Sequence, residues 1–321
     1  MPHAPQDQPS TTPDEHHGHA HHQRPGHQPP VDGGHHGGPG GAPHTHDTQA
    51  DGALADILDL DGRTFPDFLP GVTDWIAAGT PAVPRRIVDL GAGTGTGTMA
   101  LLHRFPEATV VAVDSSAEML DRLRAGAARA GYADRVETRE ADLDQGWPDT
   151  GPVDLVWASS SLHHMADPDR VLADVLRTLT PDGVLAAVEM DDMPWFLQDA
   201  ADPALAESER RCRAELTRRR QEDLPHLGDD WGSRLRADGF AVLREHTWEL
   251  AVRGPLSAEA TRYAELTLRR IRAAVADRLT AAELAPLDRL LDGDGPAGSG
   301  GLAGRDDVVV RSRRLGWLAG R

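Results

Sequence analysis

The sequence predicts an α/β fold, a mostly parallel sheet with helices on both faces, and three features carry that expectation. Between residues 86 and 188, short apolar runs alternate with amphipathic stretches of helical period. The runs are continuously apolar, as in parallel strands buried on both sides. The first run leads into a cluster of glycines followed by a helix, an arrangement that lets a ligand approach the backbone closely.

Residues 1–50 hold eleven of the sixteen histidines, mixed with Gly, Pro and Gln, and almost no apolar side chains. Such a segment cannot bury enough surface to offset the entropy of ordering it, so a disordered tail is expected there. Over 51–84 apolar residues recur at three- and four-residue spacing, including Leu54, Ile57, Leu58, Phe68, Val72 and Ile76. Short N-terminal cap helices are expected, broken by Pro66 and Pro70. Residues 85–321 read as the main domain. Strands are expected at 87–90, 109–114, 135–139, 153–158 and 184–188, with helices at 98–105, 117–130 and 168–179 between them. Further on come an arginine-rich helix at 199–222, a sixth strand from 240 toward 252, and helices over 258–291. A glycine-rich connector at 293–304 and a last strand at 308–317 close the chain.

The net charge is −18, and every basic side chain is arginine. An acidic chain repels phosphate backbones, so nucleic acid is not expected as a partner. The densest basic cluster, Arg210, Arg211, Arg213, Arg218, Arg219 and Arg220, reads as a solvated helix face. With Cys212 alone, neither an internal disulfide nor a cysteine-based zinc site can form. There is no apolar leader and no run of eighteen apolar residues, so a cytoplasmic protein with no membrane partner is expected, as a monomer or homodimer. The tail's His16-His17-Gly18-His19-Ala20-His21-His22 offers imidazoles for weak nickel or zinc binding but no fixed geometry, and no metal site is assigned.

Four segments carry the chemistry. Val88-Asp89-Leu90-Gly91-Ala92-Gly93-Thr94-Gly95 has G-x-G-x-G spacing, with an acidic residue two before the first glycine. Frames starting at Gly91 and Gly93 place Thr96 and Thr98 where a dinucleotide fingerprint needs its third glycine. Asp114 ends the second strand, where a carboxylate can accept hydrogen bonds from both ribose hydroxyls of a nucleoside. Glu140-Ala141-Asp142-Leu143 follows the third strand. Ser159-Ser160-Ser161-Leu162-His163-His164-Met165 follows the fourth, and Leu179-Thr180-Pro181-Asp182-Gly183 precedes the fifth.

In this order the segments resemble the small-molecule class I S-adenosylmethionine-dependent methyltransferases, and two later stretches resemble segments of actinobacterial members. The resemblance implies a Rossmann-like fold: a mostly parallel seven-stranded sheet with an antiparallel last strand and helical cap elements. It implies S-adenosylmethionine as cofactor, bound by Asp89, Gly91, Ala92, Gly93, Gly95, Asp114, Ser115, Met119, Ala141, Asp142, Leu143 and Ser159. It also implies methyl transfer to a small-molecule acceptor, with helical insertions at about 195–230 and 256–292 as a substrate lid. Gly97 lies beyond the usual motif and is expected to loosen the first helical turn.

The residues leave two other functions open. One is a methyltransferase-like regulator that binds the cofactor without turnover, and the other is an NAD(P)-dependent oxidoreductase, which the failed glycine frames disfavour. His163, His164 and His226 are the candidate catalytic bases. Glu189, Asp191 and Asp192 follow the fifth strand, where ligands bind in such sheets, and suit recognition of an amine or hydroxyl. Met193, Trp195 and Phe196 read as core residues of the cap or as pocket lining.

Overall fold

The computed structural model describes residues 48–223, 226–293 and 301–321. The tail expected over 1–50 lies outside the described residues except for its last three, and so does the expected connector from 294 to 300.

Two helices open the fold, α1 (Thr48–Thr64) and α2 (Phe68–Ala77). Pro66 separates them, but Pro70 breaks nothing. It sits in the first turn of α2, where its missing N–H would have had no helical partner. Then come β1 (Arg86–Leu90), α3 (Thr96–Arg104), β2 (Thr109–Asp114), α4 (Ala117–Ala130), β3 (Val136–Glu140), β4 (Val153–Ser159), α5 (Pro168–Thr178) and β5 (Leu179–Met190). The remainder is α6 (Pro203–Asp223), α7 (Trp231–Ala237), β6 (Ala241–Arg253), α8 (Ala258–Ala274), α9 (Ala281–Asp292) and β7 (Val309–Gly320). Among the described residues, no helix is long and apolar enough to cross a membrane.

The seven strands form one sheet in the order β3-β2-β1-β4-β5-β7-β6. Every pairing is parallel except those of β7, which runs antiparallel to both β5 and β6. The period-2 geometry of the strands divides the core. Ile87, Val110, Leu155, Ala186 and Leu318 face α2, α3 and the cap helix α8. Their neighbours Val88, Val111, Val156, Ala187 and Ala319 face α5 and α7. Burial on both faces explains why β1, β2, β4 and β5 are continuously apolar, whereas the edge strands β3 and β6 are largely exposed.

One carboxylate fastens the entry to the sheet. Asp154 Oδ2 on β4 accepts hydrogen bonds from the backbone N–H of Arg85 and Arg86, each at 3.0 Å. At its other end β1 passes into α3, and there Gly97 does not loosen the helix. A Cβ at this position would lie 2.6 Å from Nε1 of Trp157, a fully buried side chain of β4. Glycine here lets α3 pack directly on the indole.

Gly97→Ala is therefore expected to destabilise the protein even though alanine is the better helix former. Overpacking costs about 1–3 kcal/mol, and the helix propensity returns at most about 1 kcal/mol. Thermal unfolding should show a melting temperature lower by several degrees. An unchanged or raised value would mean that Trp157 can yield.

Candidate functional site

The site starts at the end of β1. Gly91 (φ 64°) and Gly93 (φ 53°) both adopt left-handed backbone, which side chains resist. They differ in surroundings. A Cβ on Gly91 would sit 2.6 Å from Cβ of Ser161, whereas one on Gly93 would meet only Leu58 Cδ1, at 3.3 Å. Gly91 packs closely against the loop after β4, and Gly93 meets only the end of one flexible side chain. The loop is tied to β2, because Ala92 N–H donates to the Val113 carbonyl at 3.0 Å and Gly93 N–H to Asp114 Oδ2 at 2.8 Å. Asp114 Oδ1 accepts from Ser116 N–H at 2.9 Å, and the Ser116 hydroxyl caps α4. Asp89 lies beneath the loop, buried, and accepts from the Thr98 hydroxyl at 2.5 Å. Burial pushes its pKa up to about 7; the Thr98 bond opposes the shift and the charge of Asp114 adds to it.

Two cavities meet at the carboxyl edge of the sheet. The first, about 620 Å³ and partly open to solvent, is lined by Asp89, Gly91, Ala92, Gly93 and Ser159 of the expected set. Thr94 also lines it, with a buried hydroxyl that has no partner among the described residues. The second, about 860 Å³, lies under the cap. Its walls come from α1, the end of α6, α8 and the loop after β5. Leu58, Asp61, Ser160 and Arg314 line both cavities. In this shared wall Arg314 of β7 is buried and pairs with Asp61 of α1, Nη2 to Oδ1 at 2.7 Å. The Tyr263 hydroxyl of α8 donates to the same oxygen at 2.6 Å. Burial, with the Asp61 charge next, holds the Tyr263 pKa well above its usual value.

The loop after β4 supplies the histidines. Ser160 holds a left-handed φ of 52°, unusual for a residue with a side chain. Glu189, buried on β5, accepts from the backbone N–H of Ser161 and Leu162 through Oε1, at 3.1 and 2.9 Å. Its Oε2 lies 2.6 Å from His163 Nδ1. With Oε1 committed to two donors, Oε2 accepts a hydrogen bond from Nδ1–H, which leaves Nε2 of His163 as the basic nitrogen. His163 and His164 both line the cap cavity, their rings 4.2 Å apart. His164 keeps accessible surface because it faces that cavity. Desolvation under the cap, followed by the charges of His163, Arg270 and Arg220, lowers its pKa to about 4.

Not all the expected site residues meet here. His226 lines neither cavity; its Nδ1 lies 3.1 Å from both Asp229 Oδ2 and Arg234 Nη1. Gly95 faces a separate surface cleft beside α2 and α4. Asp114, Ser115, Met119, Ala141, Asp142 and Leu143 flank the first cavity's β2–β3 side without lining it. Met119 and Leu143 are buried, and Asp142 Oδ1 accepts from Asp144 N–H at 2.9 Å. The arginine cluster is only partly a solvated face. Arg213 is buried, paired with Glu209 at 3.2 Å and stacked 4.2 Å from the Trp195 ring centre, and Arg220 lines the cap cavity. Of the residues after β5, Met193 lines the cap cavity and Phe196 is core. Asp61, Tyr263 and Arg270 had no motif to reveal them, and Thr94 lay inside the glycine motif without being among the expected ligands. Among the described residues, no group of three or more His, Cys, Asp or Glu could hold a metal.

Residues 87–183 match the family model described as methyltransferase domain. The trans-aconitate 2-methyltransferase of Azoarcus sp. (strain BH72) is 43% identical over 100 residues, 31% of this chain and 37% of that protein. The enzyme of the same name from Pseudomonas aeruginosa is 37% identical over 128 residues, 39% of this chain and 44% of that one. The chain thus spans under half the length of these relatives. Among solved structures, the YcgJ protein of Bacillus subtilis is 15% identical, with a TM-score of 0.48, over 78% of this chain and 97% of that one. The matched residues 87–183 hold the glycine loop tied to Asp114 and strands β1 to β4, so this part of the chain is similar to a methyltransferase domain.

Proposed function

We propose that this protein binds S-adenosylmethionine in the cavity over the glycine loop and transfers its methyl group, by in-line displacement, to a small molecule held under the cap. The observation that carries the reading is the junction of the two cavities at Leu58, Asp61, Ser160 and Arg314. A donor in one and an acceptor in the other would meet there.

The residues fit the cofactor. Gly93 lines the cavity with no side chain of its own, Thr94 offers a buried hydroxyl with no partner among the described residues, and Asp114 retains lone pairs on both oxygens after its two backbone bonds. When bound, the sulfonium supplies the activated methyl group and the leaving group. The chain's own task is to position the acceptor and exclude water, which contributes on the order of 7–11 kcal/mol. α1 lies beside the loop, with Leu58 next to Gly93, and covers part of it. Where the acceptor must lose a proton, His163 Nε2 takes it and Glu189 stabilises the resulting imidazolium through Nδ1. This built dyad favours turnover over cofactor binding alone. The acceptors in the relatives' names, trans-aconitate among them, belong to matches that cover 31% and 39% of this chain, so the acceptor here is assigned from the cap.

Calorimetric titration with S-adenosylmethionine, S-adenosylhomocysteine and NAD side by side tests the cofactor. The first two should bind and NAD should not; binding of NAD alone would sink the proposal. Gly93→Val should abolish S-adenosylhomocysteine binding, because the side chain fills the cavity floor, with circular dichroism reporting a folded chain.

Asp114→Ala should weaken the same binding by about 1.5–3 kcal/mol, the range for a hydrogen bond to a charged group. An unchanged dissociation constant would remove Asp114 from the site.

His163→Ala should slow transfer of a labelled methyl group into a metabolite extract by roughly 10²–10⁴-fold while cofactor affinity stays the same. Equal incorporation by wild type and variant would show that no base is needed there.

A further inference from the structure

Arg220 and Arg270 stand out in the cap cavity. Nearly every other arginine with part of its surface buried has a carboxylate or carbonyl partner, as Arg213 has Glu209 and Arg314 has Asp61. Neither Arg220 nor Arg270 makes a hydrogen bond or an ion pair among the described residues, though both line this cavity and the smaller pocket beside it. Each has its pKa lowered, chiefly by desolvation, and the charge of Arg270 adds to the lowering at Arg220. Two guanidiniums thus line one cavity with no ion pair to either among the described residues, Arg220 partly buried and Arg270 exposed, and an anion seated between them would relieve their mutual repulsion.

The surroundings set the charge of that anion. Asp192 acts on Arg220 from the loop after β5, and it also lies 3.6 Å from Arg213, which pairs with Glu209. Three guanidiniums against two carboxylates leave a surplus of one positive charge, and the adjacent His164 is neutral at pH 7. A monoanion matches that surplus and a dianion overshoots it. The wall also carries the apolar Leu54, Ile57, Met190, Met193 and Pro194, with the Asp61–Arg314 pair and His163 in the part nearer the glycine loop and Thr267 on α8. The Thr267 hydroxyl is buried, at 1% exposure, and has no partner among the described residues. Position along the cavity separates anchoring from chemistry, because Arg220 and Arg270 line only the cap cavity and its neighbour, away from the wall shared with the glycine loop.

We propose that the acceptor is an amphipathic monocarboxylic acid, its carboxylate clamped by Arg220 and Arg270 and its apolar body directed toward His163 and the glycine loop. The carboxylate is the handle and is not methylated; the accepting atom lies at the other end of the molecule. This inference rests on the cap cavity being the acceptor site of the methyl-transfer reading. Neither arginine lies within the matched residues 87–183, so the clamp is a feature of this chain's cap.

The test is direct binding to the full-length chain, with and without S-adenosylhomocysteine. The probes are octanoate, phenylacetate and 4-hydroxyphenylacetate, their neutral amides, and phenyl phosphate. At least one acid should bind about tenfold more tightly than its amide, the equivalent of one charge-assisted hydrogen bond, and more tightly than phenyl phosphate. Arg220→Gln and Arg270→Gln should each erase that preference while S-adenosylhomocysteine binds as in wild type. No preference for acid over amide in wild type, a preference that survives both substitutions, or tighter binding of phenyl phosphate would each overturn the proposal. Loss of S-adenosylhomocysteine binding in a glutamine variant would mark a damaged fold, and the wild-type comparison of acid with amide then decides alone. A wild type that prefers the acid but binds no S-adenosylhomocysteine would sink the methyl-transfer reading and leave the anion site standing. One that binds S-adenosylhomocysteine without the preference would do the reverse.

Discussion

The ion pair between Asp61 and Arg314 is the contact on which the arrangement of both cavities depends. It joins the first helix to the last strand, and Tyr263 adds the cap helix α8 to the same carboxylate oxygen. Three segments far apart in the chain are fixed at one point, and that point is the wall between the cavities. Removing one partner of such a buried pair typically costs about 3–5 kcal/mol, because the other is left charged and unpaired. The pairing also has an electrostatic consequence for the proposed chemistry. An unpaired Arg314 would set a positive charge against the place where a sulfonium is proposed to react, and Asp61 cancels it.

The sheet order explains why the site is where it is. Going outward from β1 and β4, the strands run β2-β3 on one side and β5-β7-β6 on the other, so the connections diverge at this pair. Loops leaving β1 and β4 in opposite directions open a crevice at the carboxyl edge, the usual place for ligands in open α/β sheets. The glycine loop follows β1 and the Ser159–His164 stretch follows β4, so both flank the crevice by topology alone. The cap is assembled differently. α1 precedes the sheet, α6 follows β5, and α8 is inserted between β6 and β7. These insertions leave the strand order untouched, and a cap of that kind can change its ligand without disturbing the cofactor half.

This division decides what the sequence could reveal. The glycine loop and the strands beside it are local patterns: a few residues at fixed spacing, with apolar runs whose period reports burial. They were legible, and six of the seven expected strands fall within two or three residues of the observed ones at each end. The cap's polar contacts are not local. Asp61 and Arg314 are 253 positions apart, and no spacing in the chain announces their meeting. Arg213 and Arg220 were hidden in a different way. In sequence they belong to a run of arginines that suggests a solvated face, and only the packing of α6 turns one onto Trp195 and the other into a cavity. Gly97 was misread for a similar reason, since its necessity comes from the Trp157 indole on a neighbouring strand.

Glu189 holds a strained turn and the proposed base with one side chain. Ser160 sits in a backbone region that costs of order 1–3 kcal/mol for a residue with a side chain. Such a conformation persists only where its surroundings over-determine it. Ser160 N–H donates to the Val188 carbonyl at 2.7 Å, and the next two N–H groups both donate to Glu189 Oε1. Charge-assisted bonds of this kind contribute about 1.5–3 kcal/mol each, enough to offset the strain. The sharp turn at Ser160 brings His163 back under β5, within 2.6 Å of the other oxygen of the same carboxylate. One buried side chain therefore holds the loop in its strained shape and sets the tautomer of the histidine that the shape presents. The role of Glu189 follows from that geometry: it fixes the orientation of His163, and the loop it stabilises places that histidine, the proposed base, on the wall of the cap cavity.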